Sequence, residues 1–162
     1  MGAVEKSLHL DKFYFEVKPR GDKKVIQLGG AIDEDTSFEE IKKVGGPYVF
    51  NFKNLDNINS CGIRTWVNFL KELGKVQIFY EECPPLVVRQ MNMVPSFRGG
   101  ATVVSVYVPY VCDACDTEKL VLIQGDKLAD TSSIPEAFKC DTCKKGEMEI
   151  DGHPDQYFAF LR

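Results

Sequence analysis

The chain has 162 residues with a formal net charge of −4, and 44% of its residues are hydrophobic and 27% charged. These values are typical of a soluble globular protein with one ordinary domain, or with one compact domain and a small module. The negative charge disfavours nucleic acid or an anionic membrane as a partner, and no apolar run approaches the ~20 residues of a membrane span.

The first residues, MGAVEKSLHLDKF, contain no apolar core of an export signal. We therefore expect a cytoplasmic protein. The last third of the chain, residues 106–162, is acidic, with 6 Lys and Arg against 11 Asp and Glu. Nucleic-acid binding by that region is disfavoured, because a phosphate backbone would be repelled.

The first two thirds of the chain are predicted to alternate strands and helices. Strands are expected at residues 13–17, 25–28, 48–52, 76–80 and 102–108. The first two would form a hairpin that ends at Gly29-Gly30, and a polar turn is expected at 53–59. Helices are expected from the cap Ser37, with Glu40 at capping-box spacing, up to Gly45, at 62–73, and between Pro84-Pro85 and Pro95. The order β-β-α-β-α-β-α-β favours an α/β fold with one mixed sheet.

The helix at 62–73 is the strongest single prediction. Its apolar residues Ile63, Trp66, Val67, Leu70 and Leu73 recur at helical spacing, so we expect Trp66 in the centre of a buried face. Gly74 follows as a C-cap glycine. Ser60 stands where an N-cap residue belongs, and its hydroxyl would accept a free backbone N–H of the first turn.

Two short motifs in this alternating region, Leu28–Asp33 and Asn59–Ile63, resemble the STAS domain, which is named for sulphate transporters and anti-sigma-factor antagonists. Leu28-Gly29-Gly30-Ala31-Ile32-Asp33 is similar to the family's Gly-x-Leu-Asp turn. Asn59-Ser60-Cys61-Gly62-Ile63 is similar to its Asp-Ser-Ser-Gly-Leu signature, with Asn59 in place of the acid and Cys61 in place of the second serine. The resemblance covers roughly residues 10–108 and implies a STAS-like domain over residues 1–108.

The resemblance also implies a function. In the family's anti-sigma-factor antagonists the first serine of the signature is phosphorylated by the partner kinase, and only the unphosphorylated form binds that partner. The matching phosphoacceptor is Ser60, and the implied partner surface contains Asp33, Asn59, Ser60 and Gly62. This predicts a bacterial signalling protein in transcription regulation, with an anti-sigma-factor-like kinase as partner. From the residues alone Ser60 is interpreted as an ordinary N-cap; a contact residue that acts without phosphorylation is the remaining alternative.

The two cysteines in the first two thirds of the chain, Cys61 and Cys83, are interpreted as packing residues. Cys61 at a helix start could have a lowered thiol pKa, but a small residue packed under the helix start is the simpler interpretation. Cys83, ahead of Pro84-Pro85, is interpreted in the same way.

The last third carries two C-x-x-C pairs, Cys112 with Cys115 and Cys140 with Cys143. Two such turns can close a tetrahedral site of four thiolates, which suits structural zinc; a mononuclear iron site or redox thiols are the alternatives. Predicted strands follow both pairs, at 119–124 and 147–150, and residues 156–161 are apolar enough for a further strand. Residues 109–162 therefore resemble a zinc ribbon of β-hairpins, and His153 is expected in a turn rather than in the metal site.

No arrangement of residues typical of a catalytic site is present, so we expect a protein that is not an enzyme. The leading prediction is a regulatory protein-interaction module. The alternative is a constitutive scaffold or assembly subunit that docks through the zinc ribbon. The sequence does not predict the oligomeric state.

Overall fold

The computed structural model describes residues 13–161, and its first β-sheet lies in residues 14–103. The five strands lie side by side in chain order: β1 Tyr14–Arg20, β2 Lys23–Ile32, β3 Tyr48–Ile58, β4 Ile78–Glu81 and β5 Thr102–Val103. β1 and β2 form the expected antiparallel hairpin, and the following neighbours pair in parallel. Parallel neighbours need crossover connections, which the intervening helices supply.

Four helices connect these strands. They are α1 Glu39–Val44, α2 Ser60–Leu73, α3 Pro85–Met93 and α4 Pro95–Arg98. The predicted order of strands and helices is therefore found, with the single turn of α4 added after Pro95. Gly74 is the C-cap of α2, as expected. None of the helices in residues 13–161 is both long enough and apolar enough to cross a membrane.

A second, antiparallel sheet follows directly. It contains β6 Ser105–Cys112, β7 Glu118–Gln124, β8 Ala137–Lys139 and β9 Glu147–Ile150 in the order β7-β6-β9-β8. α5 Asp126–Ala129 and α6 Pro154–Tyr157 lie between and after these strands, with 3₁₀ turns at Thr131–Ser133 and Ala159–Leu161. The expected mixed α/β class is confirmed, with two sheets and six α-helices in the described residues. The STAS topology and the boundary at residue 108 stay predictions.

The largest difference between a predicted and an observed element is the length of β3. The run 53–59 was expected to be a turn, but the strand continues to Ile58 because it pairs in parallel with the extended β2. Leu55 and Ile58 anchor the added residues, since their side chains are 3% and 8% exposed. β2 likewise does not end at Gly29-Gly30 but runs to Ile32. Pairing between neighbours overrides the weak strand preference of Asn and Gly.

Three further predictions are wrong. The strand expected at 102–108 is divided between the two sheets, as β5 and β6. The last segment, expected to be a strand, forms α6 and a 3₁₀ turn that pack against α3. α1 begins at Glu39 with Phe38 at its N-cap position, and the expected capping box is not formed; Ser37 Oγ accepts only the Glu39 N–H, at 3.4 Å.

Trp66 is fully buried, which confirms the prediction for it. Its ring packs among the aromatic side chains of Phe38, Phe50, Phe52, Phe69, Tyr80 and Phe97. The buried residues of α2 are Gly62, Trp66 and Phe69. The buried face of α2 is rotated slightly from the predicted one. Ile63, Val67, Leu70 and Leu73 are only half-buried. The buried Phe69 is not part of the predicted face.

The two sheets share one hydrophobic core. The turn after β4 leads into β6, since Cys83 N–H donates to Ser105 O and Tyr107 N–H donates to Cys83 O. The hydroxyl of Tyr157 in α6 donates to the carbonyl of Tyr107. Asn92 of α3 donates to the carbonyls of the last α6 residues. Residues from both sheets thus form one continuous packed interior.

Candidate functional site

The two C-x-x-C pairs lie at the same end of the second sheet. One pair occupies the turn between β6 and β7, and the other occupies the turn between β8 and β9. β6 and β9 are neighbours in the sheet, so the two turns face each other. The Sγ atoms of Cys112, Cys115, Cys140 and Cys143 all lie within 4.8 Å of one another. The predicted ligands are therefore brought together and could hold a metal ion.

Each turn directs backbone N–H groups at its sulfur atoms. The amides of Ala114 and Cys115 donate to Cys112 Sγ, both at 3.4 Å. In the second turn Gly146 N–H donates to Cys143 Sγ at 3.4 Å. N–H groups aimed at sulfur favour the thiolate, which is the form that binds metal.

The two turns have matching backbones. The residue after each pair, Asp116 and Lys144, has a φ of 62° and donates its N–H to the carbonyl of the first cysteine. Gly146 permits the close approach of the turns: a Cβ there would lie 2.7 Å from Cys112 Sγ and 2.6 Å from Ala114 Cβ. Asp113 joins the turns, since its Oδ1 accepts the N–H of Glu147 at 2.9 Å.

The thiols affect one another's ionisation. The N–H groups of Cys143 and Thr142 lower the pKa of Cys140, and those of Gly146 and Lys145 lower the pKa of Cys143. The Cys115 N–H acts in the same direction on Cys112, but burial and the neighbouring thiols outweigh it and raise the pKa of Cys112. Hydrogen bonds between the thiols thus favour ionisation of Cys140 and Cys143 and oppose that of Cys112, whereas a bound divalent cation would favour the thiolate at all of them.

The donor set fits a soft or borderline metal with four thiolate ligands. Cys112 and Cys140 are each 1% exposed, Cys143 is half-buried and Cys115 is exposed. His153 does not belong to the cluster; it is exposed and occupies the N-cap position of α6. The set therefore consists of the four predicted cysteines without the histidine.

The start of α2 differs from the predicted arrangement. Asn59, not Ser60, is the N-cap residue, and its Oδ1 accepts the Gly62 N–H at 2.7 Å. Ser60 is the first helical residue and is exposed. Asn is at least as good an N-cap as Ser, and only one residue can hold that position. The interpretation of Ser60 as an N-cap is wrong, and its hydroxyl is free of that role.

The loop after β2 lies against the start of α2. The Asn59 N–H donates to Ile32 O at 3.2 Å, and Asn59 Nδ2 donates to Glu34 Oε1 at 3.1 Å. Asp33 Oδ1 accepts the Asp35 N–H and the Thr36 hydroxyl, which shapes the loop. The predicted residues Asp33, Asn59 and Ser60 are therefore neighbours on one surface.

Gly62 has a different part in this arrangement. It is buried, and a Cβ there would lie 2.2 Å from Ile32 O and 3.0 Å from Asp33 N. It is the close approach of helix and strand at this point that requires glycine. Gly62 thus shapes the surface from below, while Asn59 and Ser60 are exposed on it.

The other two cysteines differ in exposure. Cys61 is exposed beside Ser60, which contradicts the expected packing under the helix start. Cys83 is fully buried, as expected, and burial raises the pKa of its thiol far above the ordinary value. A thiol held neutral in this way is unreactive.

One polar cluster was missed in the sequence. Arg20 makes two hydrogen bonds to Glu81, at 2.7 and 3.2 Å, and Asn51 Nδ2 donates to both Glu81 and Glu82. Tyr107 OH donates to Glu82 Oε1 at 2.7 Å, which ties the cluster to the second sheet. The sequence signal for this cluster is Asn51 inside an apolar strand, because a buried amide needs a hydrogen-bond partner.

No family model and no curated protein matches this chain.

Proposed function

We propose that this protein is a non-enzymatic regulatory module of the STAS, anti-sigma-factor-antagonist-like kind. It binds a partner protein through the surface formed by the loop at Asp33 and the first residues of α2. The observation that carries the proposal is the contact between these two segments, made by the Asn59–Glu34 hydrogen bond and the packing of Gly62 on Ile32. It holds Ser60 exposed beside a loop of fixed shape.

Phosphorylation of Ser60 is the proposed control. Ser60 is the first residue of a 14-residue helix, where a phosphate is favoured by the helix dipole and by free N–H groups. The modification adds about −1.5 to −2 charges to a surface that already contains the carboxylates of Asp33 and Glu34. A partner that docks here would have to desolvate that charge, so the complex would dissociate without unfolding of the module. An anti-sigma-factor-like kinase is the partner that this mechanism requires.

The test compares binding and folding in the same variants. Partners are recovered from the source cell with wild-type protein, Ser60→Asp and Ser60→Ala, and affinities for recovered partners are then measured by calorimetry. We expect Ser60→Asp to lose at least tenfold in affinity and Ser60→Ala to keep it, with unchanged circular dichroism and melting temperature in both.

Asn68→Asp is the matched control. It adds the same charge to an exposed position of the same helix, two turns further on. It should bind like the wild type. If Ser60→Asp binds every recovered partner as tightly as Asn68→Asp does, the switch is rejected.

The second candidate is a constitutive scaffold that docks through the ribbon. The observation that favours it is the exposure of Leu120 and Leu122 on the second sheet, at 51% and 37%. In that case partner recovery is insensitive to Ser60→Asp and is lost when the two leucines are replaced.

We further propose that the four cysteines hold structural zinc. Four thiolates leave no coordination position for a substrate, which is typical of structural sites. When bound, zinc would cross-link the two turns that carry the cysteines. The chain's own part is to aim N–H groups at the sulfur atoms and to keep Gly146 small between the turns. The two turns that carry the cysteines contain few apolar side chains of their own, so we expect the metal to supply much of their stability.

A further inference from the structure

β7 is an edge strand with no partner on its outer side in the described residues. Its one neighbour is β6, with which it pairs from Glu118 to Gln124. Natural proteins usually protect such edges with charges, proline, bulges or a covering segment, because unpaired backbone groups recruit another strand. The middle of β7, Leu120-Val121-Leu122, contains no charge and no proline.

The hydrogen-bond pattern shows which backbone groups point outward. Cys112 N–H donates to Thr117 O at the start of the β6–β7 pair, and Asp151 N–H donates to Pro109 O on the other side of β6. Backbone groups alternate in direction along an antiparallel strand. Lys119, Val121 and Ile123 therefore direct their N–H and C=O groups at β6. The groups that point away from the sheet belong to Glu118, Leu120, Leu122 and Gln124.

The side chains beside this edge are apolar. Leu120 and Leu122 lie on one face, opposite Pro109 and Tyr107 of β6, and they are 51% and 37% exposed. Leu120 also borders a hollow of about 420 Å³ whose walls include Pro85 and Pro109. The apolar surface thus extends from the strand edge onto the face of the sheet.

We propose that β7 is the dimer interface of this protein and that its occupant is β7 of a second copy. A two-fold axis midway between the Val121 residues of the two copies would pair the two strands antiparallel. The two four-stranded sheets would then form one sheet of eight strands. In this register Leu120 lies opposite Leu122 of the other copy, and Glu118 lies opposite its Gln124. Every outward backbone group of one strand then meets an outward group of the other, which only some registers allow.

The strand sequence favours a second copy over an unrelated partner. Glu118-Lys119-Leu120-Val121-Leu122-Ile123-Gln124 has the same leucine on both sides of Val121, so the surface is complementary to itself. Two-fold interfaces require this property. The pairing gathers four leucines and places a carboxylate opposite an amide at each end. Glu118 and Lys119 cancel in charge, so β7 itself brings no net charge to the contact.

The dimer does not depend on the proposed role of Ser60, which lies at the other sheet. Its first test is the mass in solution, measured by sedimentation equilibrium from low micromolar to millimolar concentration with metal-loaded full-length protein. We expect the mass to rise from 18.3 kDa towards twice that value. The double variant Leu120→Lys, Leu122→Lys should stay monomeric throughout, with the circular dichroism of the wild type. Met93→Lys, at a 66% exposed methionine outside the strand, is the matched control and should dimerise.

A cross-linking test does not rely on the folding of the lysine variants. In the proposed register the two Val121 residues form a pair that is not hydrogen-bonded, with Cα atoms about 4.5 Å apart. That distance lies in the range for a disulfide. Val121→Cys should therefore form a reducible covalent dimer on mild oxidation, while Gln124→Cys and the wild type should form far less. A wild type that is monomeric at all concentrations overturns the proposal. A dimer that persists in the lysine variant, or that does not cross-link at residue 121, overturns it as well.

Discussion

At the scale of single residues, a short chain of hydrogen bonds links α2, β4 and α4 inside the aromatic core. Trp66 Nε1 donates to Tyr80 OH at 3.0 Å, and Tyr80 OH donates to Phe97 O at 2.6 Å. All three side chains are fully buried. The indole therefore contributes both packing and a satisfied polar group, which a smaller apolar residue could not replace.

Trp66→Ala should lower the free energy of unfolding by ~3–5 kcal/mol, the range for large aromatic side chains removed from cores. Urea denaturation followed by circular dichroism measures the change. Trp66 is the single tryptophan of the chain, so the wild-type emission should be that of an indole shielded from water. An emission maximum typical of a water-exposed indole would contradict the burial.

The missed cluster around Glu81 predicts a pH dependence. Burial raises the pKa of Glu81, but the hydrogen bonds from Arg20 and Asn51 outweigh it and hold the pKa below the ordinary value. A carboxyl with a lowered pKa in the folded state stabilises the fold above its unfolded-state pKa and loses that contribution as the pH falls through the folded-state pKa.

We therefore expect the wild type to lose stability below about pH 5 and Glu81→Gln to lose less over the same range. Denaturation midpoints measured from pH 7 to pH 3 test this. Glu40→Gln, which removes an exposed carboxylate of α1 outside the cluster, is the control. Parallel acid profiles for the wild type and Glu81→Gln would show that the cluster does not contribute in this way.

At the scale of elements, the start of α2 shows how neighbouring residues divide two tasks. Asn59 accepts the Gly62 N–H and thereby caps the helix, and it also donates to Glu34 in the loop after β2. Ser60 is left exposed as the first helical residue. A modification of Ser60 can therefore change the surface without removing the cap.

Asn59→Ala should cost about 1 kcal/mol of stability, the usual value for a lost N-cap. Ser60→Ala should change it by less than about 0.5 kcal/mol, as surface substitutions usually do. Thermal melts of the two variants give the comparison directly. A larger loss for Ser60→Ala than for Asn59→Ala would mean that the serine is the cap after all.

At the scale of the whole molecule, the four cysteines lie at one end of a sheet whose buried residues belong to the common core. The proposed zinc should therefore stabilise the entire chain and not the ribbon alone. Purified reduced protein should contain about one zinc per chain, and an excess of chelator should lower its melting temperature.

Cys112→Ser should lose the metal, and Cys83→Ser should keep it, because Cys83 is equally buried but lies outside the cluster. Elemental analysis of the three proteins measures the metal content. Metal-free wild type, prepared under reducing conditions, would reject zinc as the structural ion.

The features that the sequence determined by itself are those set by neighbours along the chain. A C-x-x-C pair brings two thiols together within one turn, so the sequence predicted the cluster of four cysteines that the structure shows. Helical periodicity placed Trp66 inside and the C-cap at Gly74. The alternation of apolar runs, turns and amphipathic segments predicted the order of strands and helices in residues 14–103.

The tertiary structure decided what depends on residues far apart in the chain. β3 extends through an Asn- and Asp-rich run because β2 offers backbone partners there. Arg20 reaches Glu81 across 61 positions, which no local pattern reveals. The apolar tail after His153 became helical because it packs against α3 and not in a sheet. In each case a short segment without a strong preference of its own takes the conformation that its spatial neighbours stabilise.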